Sequence, residues 1–186
     1  MNLRYFIFKR ISLLFLLIHV SLFTRLRYGK GGTAAILGGC FVLESLVDCA
    51  LIFWITSPSL GILALLAEIV IVQVGALLAS EYRDMRAIFT SVSAAVYVLP
   101  GDFLCQLLPA GIDHRVLLGL LIQISVHLLI LLGMVKISRK AWLSELQFKD
   151  TNWFLLSVIP VMCYLIMYSL CEPDTVAMTQ REGNAL

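Results

Sequence analysis

The stretch Ser80-Glu81-Tyr82-Arg83-Asp84-Met85-Arg86, followed by Ala87-Ile88-Phe89-Thr90, is the longest charged interruption in the middle of a very apolar chain. About three hydrophobic segments precede it and about three follow, each near the length that crosses the ~30 Å hydrocarbon core of a bilayer. The stretch therefore reads as a loop between membrane helices. Composition agrees: 60% of the 186 residues are hydrophobic, 14% are charged and the mean hydropathy is +0.94, whereas soluble domains carry about 25% charged residues. The chain is read as an all-α integral membrane protein, one polytopic domain over residues 1–186 with a bundle of about six transmembrane helices.

Outward from the charged stretch, the segments fall at about 6–26, 33–56 and 60–79 before it, then 87–108, 116–135 and 153–170 after it, with a polar tail at 171–186. Gly29-Lys30-Gly31-Gly32 predicts a turn before the second segment, and Ser57-Pro58-Ser59 a tight link from the second to the third. Pro100-Gly101-Asp102 is expected to interrupt and kink the fourth. Between Lys136 and Asn152 the sequence turns polar, with Trp142, Leu143 and Leu146 on one side of an interfacial helix; Asp150-Thr151-Asn152 then offers a helix cap. The N-terminal segment has basic flanks like a signal peptide, but Thr24-Arg25-Leu26-Arg27 follows its apolar core, so it is expected to be retained.

Lys and Arg count fixes the expected topology. Arg25, Arg27, Lys30, Arg83, Arg86, Lys136, Arg139, Lys140 and Lys149 lie in alternate loops, against Arg115 and Arg181 on the other side. The richer set is placed in the cytoplasm and the C-terminus outside, in a multi-pass membrane protein. The basic residues of the N-terminal flank, Arg4, Lys9 and Arg10, leave the orientation of the first segment open. The net charge of +2 and the lack of a basic, aromatic-interleaved stripe exclude nucleic acid as a partner. Cys40, Cys49, Cys105, Cys163 and Cys171 have neither C-x-x-C spacing nor a histidine pairing, so they read as small buried hydrophobes and imply no metal site, disulfide framework or cofactor.

Ionisable groups at membrane depth cost a few kcal/mol and are functional-site hypotheses by default. At 1.5 Å per residue, Glu44 lies about 16 Å from the inner surface, Glu68 about 12 Å and His127 about 17 Å from the outer one. Asp48 shares a helix face with Glu44. Three carboxylates there cannot all stay ionised without a cationic partner. Two readings stand: a proton- or cation-responsive cluster with His127 as partner of Glu44 or Glu68, and polar groups that lock helix packing. The second is the more economical. His19 reads as a packed histidine, Asp102 as an interfacial acid and Asp113-His114-Arg115 as a solvated turn. Gly75 with Ala79, and Ser91 with Ala95, have the spacing of close helix approach.

Ser80-Glu81-Tyr82-Arg83-Asp84-Met85-Arg86 with Ile88-Phe89-Thr90 resembles the S-x-Y-R-D-x-R-x-x-F-T stretch in the membrane regions of clostridial GHKL-type sensor histidine kinases. Asn152-Trp153-Phe154-Leu155-Leu156-Ser157-Val158-Ile159-Pro160 resembles the W-x-x-L-S-x-x-P start of a late helix there, and Arg25-Leu26-Arg27-Tyr28 their basic first loop. The resemblance implies a sensor-type membrane module over nearly the whole chain, with Glu81, Arg83, Asp84 and Arg86 as a cytoplasmic coupling loop. It also implies an extracellular small-molecule or peptide signal, and a homodimer or kinase partner of a two-component system. The phosphoacceptor histidine and the ATP-site boxes are absent, so no kinase activity carries over. An outside C-terminus at Glu172-Pro173-Asp174 is expected of a chain that stops one helix short, truncated or stand-alone. The alternative is a small transporter or ion-translocating protein using Glu44, Asp48, Glu68 and the Pro100-Gly101 break. A scaffold without ligand is a third. No H-E-x-x-H, G-x-S-x-G or paired-aspartate motif points to an enzyme.

Overall fold

The computed structural model describes residues 3–54, 58–106, 115–148 and 151–171, and these are helical throughout apart from short links. The elements are α1 Leu3–Phe23, α2 Lys30–Trp54, α3 Pro58–Ala79, α4 Met85–Gln106, α5 Arg115–Ile137, α6 Arg139–Glu145 and α7 Trp153–Cys171. Apolar sequence of this length forms helices because each backbone amide then finds its partner within the segment, whatever surrounds it. Among the described residues, four helices are long and apolar enough to cross a membrane: Phe6–Phe23, Lys30–Ala50, Met85–Leu104 and Leu117–Ile137. Leu66–Ala79 and Trp153–Met167 are shorter apolar stretches. The expected tail 171–186, the loop 107–114 and Lys149-Asp150 lie outside the described residues, apart from Cys171 at the end of α7.

Two local expectations need correction. Lys30-Gly31-Gly32 forms the first turn of α2 rather than a turn before it. The amides of a first turn have no intrahelical partner in any helix, so glycine costs little there. α4 runs through Pro100 without interruption, as α7 runs through Pro160. A proline removes one backbone donor, and the remaining bonds of a long helix hold the segment together. The short polar helix appears as α6, and Asn152 caps α7: its Oδ1 accepts the Leu155 amide at 3.1 Å.

α1 and α4 are the inner helices. Each is 44% buried over its apolar span, against 22% for α2 and 17% for α5. α1 touches α2, α3, α4, α5 and α6, while α4 also meets α3, α5 and α7. Leu13, Leu17 and Val20 of α1 meet Leu37, Val72, Ala76, Ala79 and Ala94 in the apolar core. Gly75 faces the Cys40 side chain across the α2/α3 contact, where a Cβ would collide with its sulfur. Cys40 and Cys49 are half-buried, but Cys163 is exposed, so the reading of every cysteine as a buried hydrophobe fails at Cys163.

The distribution of polarity is inverted relative to a soluble domain. Leu46, Leu129, Leu132, Ile137, Phe154 and Ile159 are each 60% or more exposed, while Asp48, Gln123 and His127 are fully buried. Polar side chains are as numerous as apolar ones among the buried described residues. Apolar surface on this scale is what a hydrocarbon solvent covers without cost and water does not.

Candidate functional site

The polar interior is organised by α1, which presents two neighbouring faces. Lys9 and Arg10 look toward α2 and α3. Phe8, Ser12, Phe15 and His19 follow at spacings of four, three and four, so they share one face, turned toward α4 and α5.

On the first face Lys9 Nζ donates to Asp48 Oδ1 at 2.8 Å and to Glu68 Oε1 at 2.6 Å. Arg10 pairs with the other Asp48 oxygen and donates to Ser45 Oγ at 3.1 Å. Asp48 and Glu68 side chains are 1% and 9% exposed, Lys9 26%. Glu44, buried one turn below Asp48, has an oxygen without a hydrogen-bond partner among the described residues. The helical hairpin of α2 and α3 thus holds three acids, and the helix beside it supplies two cations. In low dielectric such pairs are strongly coupled, and removing one partner costs more than the pair contributes.

On the second face Gln123 of α5 donates through Nε2 to the Phe8 carbonyl at 3.0 Å, Ser12 Oγ at 2.7 Å and Asp102 Oδ1 at 2.9 Å. Ser12 also hydrogen-bonds Asp102 directly. His127, one turn along from Gln123, packs against Phe15 with the rings tilted and their centroids 4.8 Å apart, and lies 3.7 Å from Asp102. Its ring rests on Gly101, where any Cβ would overlap it. His127 is therefore not the partner of Glu44 or Glu68 expected from the sequence. Depth alone suggested that pairing; helix rotation turns His127 to α4. Asp102 is likewise no plain interfacial acid, and Gln123 and Ser12 carry no sequence signal beyond polarity inside a span. His19 is packed as expected, with Nδ1 2.8 Å from the Phe15 carbonyl and its ring beside Phe23 and Tyr97.

At the other end of α1 the charged stretch is built into the bundle. The Arg27 amide donates to the Ala79 carbonyl at 3.0 Å and the Glu81 amide to the Arg25 carbonyl at 2.8 Å, bridging Leu26 and Ser80. Glu81 pairs with Arg25 at 2.7 Å. Tyr82's hydroxyl, bonded to Arg25 at 3.2 Å, and Glu81 together hold that guanidinium above its ordinary range. Arg86 grips Asp84 through Nε at 3.0 Å and donates to the Leu146 carbonyl at 3.0 Å, with its guanidinium 3.7 Å over the Tyr82 ring. Those bonds hold the Asp84 carboxyl below the usual carboxylate range. Of the four loop residues expected to act together, Glu81, Asp84 and Arg86 take part in these contacts, and Arg83 is exposed.

No family model, no curated protein and no solved structure matches the chain.

Proposed function

We propose that the chain is a membrane sensor and signal-transduction module of the sensor-kinase input type, without catalysis of its own. In this reading α1–α5 and α7 span a bacterial cell membrane as six segments, α6 lies on the inner surface, and the C-terminal end of α7 faces outward. The links after α1, α3 and α5 are then cytoplasmic, and a small molecule or peptide is detected from outside. The signal passes to a second copy or to a kinase partner.

The observation that supports the reading is the path of α1. One helix carries both buried polar seams in its N-terminal half, and its C-terminal end is tied by Arg25, Leu26 and Arg27 to the charged stretch. Arg139 adds a further tie, donating from α6 to the Leu22 carbonyl at 2.9 Å. A shift of α1 that loosens Lys9 or Ser12 must move those ties, because interiors rearrange between discrete packings rather than deform smoothly. A transport path is less well supported: it needs several carboxylates that receive a passing cation, and Asp48 and Glu68 are held by Lys9 and Arg10, which leaves Glu44 alone among the three acids.

The test places a cysteine at Arg83 in a cysteine-free background and measures its labelling by an impermeant maleimide in inverted membranes. Lys9→Met is expected to change the rate. An unchanged rate would count against coupling, and a cation flux in vesicles that Glu68→Gln abolishes would favour transport.

A further inference from the structure

Where α5 passes into α6, Val135, Arg139, Lys140, Leu143, Ser144 and Gln147 line an open groove of about 520 Å³. The two helices join almost without a link: the Ser138 amide donates to the Met134 carbonyl at 2.9 Å, and the Trp142 amide to the Ser138 carbonyl at 2.8 Å. The helix that carries the groove is held to the bundle on its other side. Trp142 stacks on Phe89 at 5.1 Å and meets Phe23 edge-on at 6.0 Å, and Arg139 is anchored through Nε to the end of α1.

Its chemistry is two-sided. Arg139 and Lys140, with Lys136 in the last turn of α5, outnumber the one acid of α6, Glu145. Ser144 and Gln147 add a hydroxyl and an amide. Away from the charges, Leu128, Leu132 and Val135 rise along α5 in helical register with Arg139, and they are 43%, 63% and 37% exposed. A soluble anion would use only the first half of this surface. A molecule with an anionic head and a hydrocarbon tail would use all of it.

We infer that this groove binds an anionic phospholipid, its phosphate against Arg139 and Lys140, its head hydroxyls at Ser144 and Gln147, and an acyl chain along Leu128, Leu132 and Val135. Basic pockets at the membrane surface beside spanning helices are suited to such headgroups. The inference rests on the membrane placement proposed above but not on signalling, and it fixes the end of α6 that holds Arg86 through Leu146. Lipid bound here would therefore brace the same contact that anchors the charged stretch.

The full chain, purified in mild detergent, is titrated with phosphatidylglycerol or phosphatidylcholine, and bound lipid is counted by native mass spectrometry. At roughly fivefold in affinity per basic residue near a membrane surface, Arg139→Gln with Lys140→Gln should weaken phosphatidylglycerol about thirtyfold and leave phosphatidylcholine unchanged. Lys140→Gln alone keeps the Arg139–Leu22 bond and should lose about fivefold, which guards against a folding defect in the double variant. Glycerol phosphate at millimolar concentration should fail to compete. Three results would overturn the inference: an unchanged lipid preference in the double variant, full displacement by glycerol phosphate, or an equal loss in Arg83→Gln, whose charge lies outside the groove.

Discussion

Lys9→Met tests the load on α1. Lys9 makes two ionic contacts, at 2.8 Å to Asp48 and 2.6 Å to Glu68. At an effective dielectric of about 20 each is worth roughly 6 kcal/mol of gross attraction. Desolvating the ammonium and crowding two carboxylates returns most of that, several kcal/mol per ion. What truncation costs is the uncompensated charge left behind, about 3–5 kcal/mol for a fully buried pair. Lys9 keeps 26% exposure, so the lower end applies, about 3 kcal/mol. Reversible unfolding in mixed micelles, or steric trapping in a bilayer mimic, reads this directly. Glu68→Gln made on top of Lys9→Met should recover about 1–3 kcal/mol, since it removes the stranded charge. Loss of less than about 0.5 kcal/mol in Lys9→Met, with additive behaviour of Glu68→Gln, would show that the pairing carries no load.

Four further outcomes follow from the same structure. Gly101→Ala should cost about 1–3 kcal/mol, because its Cβ would sit 2.7 Å from His127 Nδ1, and His127→Ala should suppress the defect. Gly38→Ala, on the outward side of α2 with nothing within 4 Å, should instead stabilise by up to about 1 kcal/mol in the same unfolding assay. Gln123→Leu should cost about 2 kcal/mol by stripping a donor from Ser12 and Asp102 together, whereas Leu121→Ala on the exposed side should cost little. Asp84, held by Arg86 below its unfolded value, stabilises above pH ~4, and that contribution is lost as pH falls through its lower folded value. A thermal scan between pH 7 and 3 should show an acid-side loss that Asp84→Asn flattens, a small one because the side chain is 48% exposed.

The helical bundle was legible because apolar runs of membrane length leave the chain few other choices. Glu44, Asp48 and Glu68 were legible for the same reason: each interrupts such a run. Their partners were not, because Lys9 and Arg10 read as part of a basic flank whose orientation the charge count leaves open. Helix register finds them. With the first segment running inward, Lys9 lies 14 residues, about 21 Å, from Phe23, and Glu68 lies 11 residues, about 16 Å, from Ala79. On the proposed topology both positions fall in the outer half, where a stranded acid and a stranded lysine must find each other. In the second seam His127 and Asp102 were legible but their partners were not: Ser12 and Gln123 are neutral, and only helix rotation decides whether they face α4 or lipid. The buried state of Arg86 and Ser80 was equally hidden, since a charged stretch reads as solvated until the Leu26 bridge and the Leu146 carbonyl are seen.

A charge exchange between α1 and α3 decides whether the buried pairing holds the bundle together. Lys9→Glu and Glu68→Lys are each introduced into the full chain, then combined, and the folded fraction in native membranes is measured by fluorescence-detected size exclusion. Each single variant is expected to lose most of the folded protein. The exchanged pair should recover a substantial part of it, because the ammonium introduced on α3 then meets the carboxylate introduced on α1 and the native Asp48 as well. If the double variant is as poor as the worse single one, the buried pairing of α1 with the α2/α3 hairpin is contradicted.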